Sequence, residues 1–189
     1  MEIERPSIVE THGGRGKLYL NCYRSCGPGV VFETDEDKTE VLADQRPEWA
    51  VYQADCIAAL AQGVGFQFRP NFFDLDPYGD CWPVVDAVFA GMPHRPDRVV
   101  FVVNDGLRRK LKMHGGWSSR SMAGMVQSRG NDHLYREYLD VCRELMREKA
   151  GQAGYDLTRW TGYYCGHAKV MIHFAAVLDL RQPVESGTP

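Results

Sequence analysis

The chain has 189 residues, 44% of them hydrophobic and 25% charged, with a net charge of −3. That length and balance suit one domain over 1–189 with a full-sized core, and the weak negative charge excludes a molecule that attracts nucleic acid over its whole surface, so any basic patch is local. No apolar run approaches the length of a membrane span, and the acidic start "MEIERPSIVE" lacks the apolar segment of a signal peptide, so the expected location is the cytoplasm, with no membrane partner.

Read in chain order, "SIVE" is a short strand running into the turn "THGGRG", and "KLYLNCY" can be a helix. "GVVFET" is a second strand followed by the helical "DEDKTEVLADQ". "WAVYQAD" is a third strand, and "CIAALAQG" a short helix ended by Gly63. "FQFRPNFFDLD" carries the fourth strand, and "CWPVVDAVFAGM" a helix with Pro83 in its first turn, where proline is tolerated. "DRVVFVVND" is the fifth and most apolar strand. The segment 107–131 has no clear period and is rich in glycine and serine, so it reads as a substrate loop with at most a short helix at its start. A long helix follows from Asn131 or Asp132 to Gly151, with Leu134, Tyr138, Val141, Cys142 and Leu145 on one face. "YDLTRWTGYYCGHAKVMIHFAAVLDL" reads as two strands turning near Gly166, in which Trp160, Tyr163 and Tyr164 pack, and residues 181–189 form a frayed tail. Strands alternating with helices, each strand a continuous apolar run, imply an α/β fold: a mostly parallel sheet with helices on both faces and an antiparallel C-terminal hairpin.

Four strand ends carry chemistry. After the first strand, Gly13, Gly14 and Gly16 let the backbone turn tightly and let a ligand approach it; this is neither a P-loop nor the full dinucleotide fingerprint. His12 in this turn either packs the helix start or contacts a cofactor. Glu33 ends the second strand about 20 residues beyond the turn, the spacing of an acid that binds ribose hydroxyls; with Asp35, Glu36 and Asp37 it also suits the positive end of the next helix. Asp55 ends the third strand, where it either caps a helix or accepts from an adenine amino group. The fourth end is "DLDPYG", with Asp74, Asp76, Pro77 and Tyr78. In open α/β sheets ligands bind outside these carboxyl ends. The six cysteines are scattered without a zinc-type pair of pairs and read as reduced thiols; Cys22 and Cys26 could share a helix face, but no second pair completes a metal site.

The ordered set "VETHGGRG", "FETD", "QADC" and "DLDPYG", closed by a final pair of strands, resembles the class I S-adenosylmethionine-dependent methyltransferases over nearly the whole chain. The resemblance implies a Rossmann-like, seven-stranded sheet. It implies S-adenosylmethionine as cofactor, with Glu10, Gly13, Gly14 and Gly16 at the methionine end, Glu33 at the ribose, and Asp55 with Cys56 at the adenine; His12 and Asp74 are further candidates for cofactor contact. "DLDPYG" is similar to the D-[L/I]-D-P-[F/Y]-G motif of the tRNA guanine-N2 dimethyltransferases and departs from the [D/N/S]-P-P-[Y/F/W] motif of other amino methyltransferases. It implies Asp74, Asp76, Pro77 and Tyr78 as the catalytic set, with the acid before proline accepting from an exocyclic amino group and the aromatic stacking on the base. Arg108, Arg109, Lys112 and Trp117 of the following loop are the candidate substrate contacts. The separate RNA-binding domain of the tRNA enzymes is missing from this sequence, so the acceptor is expected in RNA, DNA, a free nucleotide or another planar amine. A small-molecule or protein N-methyltransferase, and a non-catalytic cofactor-binding subunit, are the other readings; a partner subunit or a homo-oligomer would supply missing recognition.

Overall fold

The computed structural model describes residues 6–77, 79–114 and 120–182. Five short strands are laid down in parallel: β1 (Ile8–Glu10), β2 (Gly29–Glu33), β3 (Ala50–Gln53), β4 (Phe72–Leu75) and β5 (Arg98–Asp105). Two long antiparallel strands, β6 (Tyr155–Cys165) and β7 (Met171–Leu180), complete a seven-stranded sheet in the order β3-β2-β1-β4-β5-β7-β6. The expected fold class is the one observed.

Side chains alternate between the two faces of a strand, and here the alternation separates two cores. Val9, Val30, Phe32, Phe73, Leu75 and Phe101 belong to the larger one. It is covered by α2 (Cys56–Ala61), α3 (Trp82–Gly91), α6 (Asn131–Arg136) and α7 (Tyr138–Gln152), whose apolar residues join the same cluster. Ile8 and Val31 point the other way, into a smaller cluster with Tyr19, Tyr23, Leu42 and Trp49. That face is covered by α1 (Glu36–Gln45) and by a π-helical turn, Tyr19–Tyr23, where the sequence suggested an ordinary helix.

Several local expectations change. The fourth strand is confined to Phe72–Leu75, because Phe66–Phe68 forms a 3₁₀ turn bounded by Gly65 and Arg69, both at positive φ. Within 107–131 the described residues include two helices, α4 (Leu107–Lys112) and α5 (Arg120–Arg129). α4 is the short helix the sequence allowed at the start of the segment; α5 went unread because it buries only Met122, too little for an apolar period to show. The long helix after it is broken at Glu137 into α6 and α7. Its start is Gly130, at φ 78, with no side-chain cap from Asn131 or Asp132, and the chain leaves α7 through Gly154, at φ 85, rather than Gly151. Arg181 is not frayed, since its amide donates to the Gly154 carbonyl and its side chain pairs with Asp156 at 2.8 Å.

Candidate active site

β1 and β4 are neighbours, and their register sets Glu10 opposite Asp74. Both side chains point to the face of the smaller core, and both are buried. Two residues on, Asp76 returns to the same face just past the last paired residue of β4. Three carboxylates therefore line up at the carboxyl ends of two adjacent strands. With His12, Gly13, Gly14, Arg15, Lys17 and Leu18 they line a cleft of about 270 Å³. A cavity of the same volume opens at the opposite edge of the sheet, between Phe66, Pro70 and Pro96, and none of these residues reaches it.

The glycine turn is shaped by contacts on its inner side. A β-carbon on Gly13 would stand 2.5 Å from Val31 and 2.6 Å from Leu42, so the backbone lies directly against β2 and α1. Gly14, at φ 54, has only open space where its β-carbon would be, so it offers bare main chain to the cleft.

Each acid is held differently. Glu10 accepts from the guanidinium of Arg46, which is wholly buried. Burial pushes the Glu10 carboxyl up to about 7, with Arg46 opposing and Asp74 and Asp76 adding to the rise. Asp74 accepts a 2.5 Å hydrogen bond from the Tyr23 hydroxyl. Burial raises its pKa too, and the Tyr23 bond resists the rise. The Asp74 main-chain carbonyl meanwhile accepts from the amide and the hydroxyl of Thr11. Asp76 is exposed and receives Asn104 Nδ2 at 2.7 Å. Asn104 Oδ1 is buried beside it without a partner among the described residues. The Pro77 carbonyl accepts from the Gly79 amide at 2.7 Å.

His12 stands among these acids. The single hydroxyl hydrogen of Thr11 is donated to Asp74, so Thr11 Oγ1, 2.8 Å from His12 Nδ1, acts as the acceptor there. That places the imidazole proton on Nδ1 and makes Nε2 the acceptor toward the Cys56 thiol, whose Sγ lies 3.8 Å away. Burial lowers the His12 pKa although Asp76, Glu33 and Asp55 pull it up, so the ring is neutral near pH 7.

The other expected cofactor residues lie outside the cleft lining. Glu33 Oε2 accepts from the Gly14 amide at 2.9 Å, and its Oε1 from the amides of Thr34 and Asp35. Asp35 is the N-cap of α1. Asp55 is the N-cap of α2, accepting from Ala58 at 2.8 Å, so the capping alternative describes it as it stands. Cys56 is buried beside it, its thiol pushed up to about 12 by that burial. Gly16, at φ 74, packs on Gln45. Tyr78 and Trp117 lie outside the described residues.

Arg108 is a correction. It sits on the inner face of α4 with Leu107 and Leu111, donates to the Tyr135 and Lys169 carbonyls, and stacks on the Tyr135 and Tyr164 rings. It is committed to the interior. Arg109 and Lys112 are exposed on the other side of the helix. Lys110, another cation of that basic run, lies beside Gly79, its Nζ 3.8 Å from where a Gly79 β-carbon would be.

Sequence reasoning also missed Arg46, Tyr23, Asn104 and Asp105. Asn104 and Asp105 had a readable signal, being polar residues that end an apolar strand. Asp105 is fully buried, caps α4 through the Leu107 amide and receives the Tyr138 hydroxyl at 2.7 Å. Among the described residues the six cysteines are free, no cluster of His, Cys, Asp and Glu is placed to hold a metal, and no helix is long and apolar enough to cross a membrane.

Neither a protein-family model nor a curated protein sequence matches the chain. Solved structures do. TYW2 from M. jannaschii, in complex with AdoMet, superposes with a TM-score of 0.59 at 12% identity, covering 96% of this chain and 72% of its own. The proposed methyltransferase yhhF from Escherichia coli gives 0.54 at 11% identity, covering 93% and 76%. The proposed RNA methyltransferase PH1948 from Pyrococcus horikoshii gives 0.53 at 11%, covering 94% and 76%. The fold is the Rossmann-like methyltransferase fold. In a methyltransferase fold the ends of β1 and β4 lie on the ligand edge of the sheet, where Glu10, Asp74 and Asp76 stand.

Proposed function

We propose that the protein is an S-adenosylmethionine-dependent N-methyltransferase that acts on an exocyclic amino group of a nucleobase in nucleic acid. The observation that carries this reading is the row of three carboxylates, Glu10, Asp74 and Asp76, beside a glycine turn on the ligand edge of the sheet. The residues fit the cofactor. Gly14 is open to the cleft, and the Glu10 and Asp74 carboxylates, both lining it, suit the cationic end of a methionine moiety. Glu33 beyond the turn suits a ribose. When bound, the cofactor supplies an electrophilic methyl group on a sulfonium.

Asp76 is the acceptor for the substrate. Asn104 fixes one of its oxygens, which leaves the other for an amino hydrogen. An amino nitrogen conjugated to a ring is a weak nucleophile, and holding its hydrogen aims the lone pair along the productive line, a positioning effect that can supply several kcal/mol. Asp76 also receives the proton released when the nitrogen gains a fourth substituent. The Tyr78 ring is the proposed stacking surface, worth about 1–3 kcal/mol per base. Arg15 and Lys17 at the cleft, Lys110 over the turn, and exposed Arg109 and Lys112 supply cations for phosphates. The description of PH1948 as a proposed RNA methyltransferase supports RNA as the acceptor.

The test is incubation with methyl-labelled S-adenosylmethionine and pools of tRNA, other RNA, DNA and free nucleotides. Label should enter RNA, and Asp76→Ala should abolish its transfer while cofactor affinity stays within about threefold. Label entering only small amines would replace the nucleic-acid reading, and cofactor binding without any transfer would leave a binding subunit.

A further inference from the structure

Under the cleft lies a cation that the proposed transfer does not touch. Arg46 follows α1 and is 0% exposed. Its guanidinium lies 4.5 Å from the Tyr19 ring centre and 5.1 Å from that of Trp49, and Nη1 donates to Glu10 Oε2. Nε and Nη2 are buried without a hydrogen-bond partner among the described residues. A guanidinium with idle buried donors is costly, and a pure stability role would be served as well by an apolar side chain in that aromatic box. What the arrangement provides instead is a counter-ion on one side of Glu10 only. Glu10 Oε1 accepts from no other group among the described residues, and Glu10 lines the cleft.

We infer that Arg46 is the positioning residue that keeps Glu10 ionised and turned into the cleft to receive the α-ammonium of the cofactor's methionine moiety, an inference that rests on the methyltransferase reading above. The groups that face Glu10 are few. Asp74 and Asp76, from the end of β4, oppose its ionisation, as does burial; among the described residues Arg46 alone favours it. Tyr23, on the π-helical turn, gives its hydroxyl to Asp74 rather than to Glu10. Arg15, Lys17 and neutral His12 line the cleft opposite. With Arg46 in place the Glu10 carboxyl stands at about 7. Removing the guanidinium leaves burial unopposed and moves it higher.

The experiment compares two ligands on the full chain by calorimetry between about pH 6 and 9. S-adenosylmethionine carries the ammonium, and 5′-methylthioadenosine lacks the whole amino-acid arm. The ratio of their affinities isolates the Glu10 contact. The ligand's own α-amino group titrates near 8, but identically for every variant. In the wild type the ratio should fall as pH drops through about 7, as Glu10 takes up a proton. Arg46→Met should lower it about tenfold near neutral pH and move its midpoint upward, with 5′-methylthioadenosine held within about twofold. Arg46→Lys, which keeps the charge, should shift the midpoint less, and it decides the matter if Arg46→Met does not fold. Equal loss of both ligands in the variants, or a midpoint that moves in neither, overturns the inference. A wild type that binds neither ligand overturns the methyltransferase reading itself.

Discussion

Asp74 and Asp76 are two residues apart and have opposite surroundings. Asp76 reaches solvent and is steadied by an amide, whereas Asp74 is buried and relies on one phenol. Tyr23→Phe removes that donor and leaves a buried carboxyl alone, which costs about 1–3 kcal/mol. Urea denaturation should show a loss of that size at neutral pH, and it should shrink in acid, where Asp74 is protonated and no longer needs a charge partner. Both aspartates were legible in the sequence because a carboxylate that ends an apolar run on a ligand edge is an unusual expense unless something polar lies beyond. Their supports were not legible. Tyr23 and Arg46 sit 51 and 36 residues from the acids they serve, and only the β1–β4 and β1–β2 registers bring them together. Arg108 was misread for the same reason, since a cation in a basic run looks solvent-facing until the helix that turns it inward is known.

At the scale of elements, α2 and α3 are in close main-chain contact. A β-carbon on Gly91 would stand 1.7 Å from the Leu60 main-chain oxygen. A backbone carbonyl cannot rotate away as a side chain can, so Gly91→Ala must push the helices apart, at a cost of about 1–3 kcal/mol by thermal or urea denaturation. The start of α4 carries a pH dependence. Burial raises the Asp105 carboxyl from the usual 3.8 to about 7, against the opposing bonds from Leu107 and Tyr138. The folded state therefore holds this proton more tightly than the unfolded chain, and the stability it contributes is full below about pH 4 and lost as pH rises through about 7. Asn cannot titrate, so Asp105→Asn should cost more at about pH 5 than at about pH 8, by ~1 kcal/mol or more. The strand and helix order was readable because each strand is a short apolar run closed by a polar end. The helix α5 was not, because glycine and serine within 107–131 hid a structure set by tertiary contacts such as Lys149 to Ser121.

At the scale of the molecule, a net charge of −3 coexists with a fringe of local cations: Arg15 and Lys17 line the cleft, Lys110 lies beside Gly79, and Arg109 and Lys112 are exposed on α4. Phosphates would meet that fringe and be repelled elsewhere, so RNA binding should be weak and steeply salt-dependent. Each cation removed, for example in Lys110→Ala, should lower the slope of log affinity against log salt by about 1; fluorescence anisotropy with a tRNA pool measures it, and a slope unchanged in all five single variants would mean that this edge does not carry the phosphates. The sheet order has a consequence in time. β6 precedes β7 in the chain, yet β7 lies between β5 and β6. A growing chain can dock β1 to β5 as each emerges, but β6 has no ladder to join until β7 has been made and slipped into place. Synthesis thus leaves β5 as a bare edge and eleven residues of β6 unpaired for an interval, the stage at which a partly made chain is most open to pairing with a neighbour.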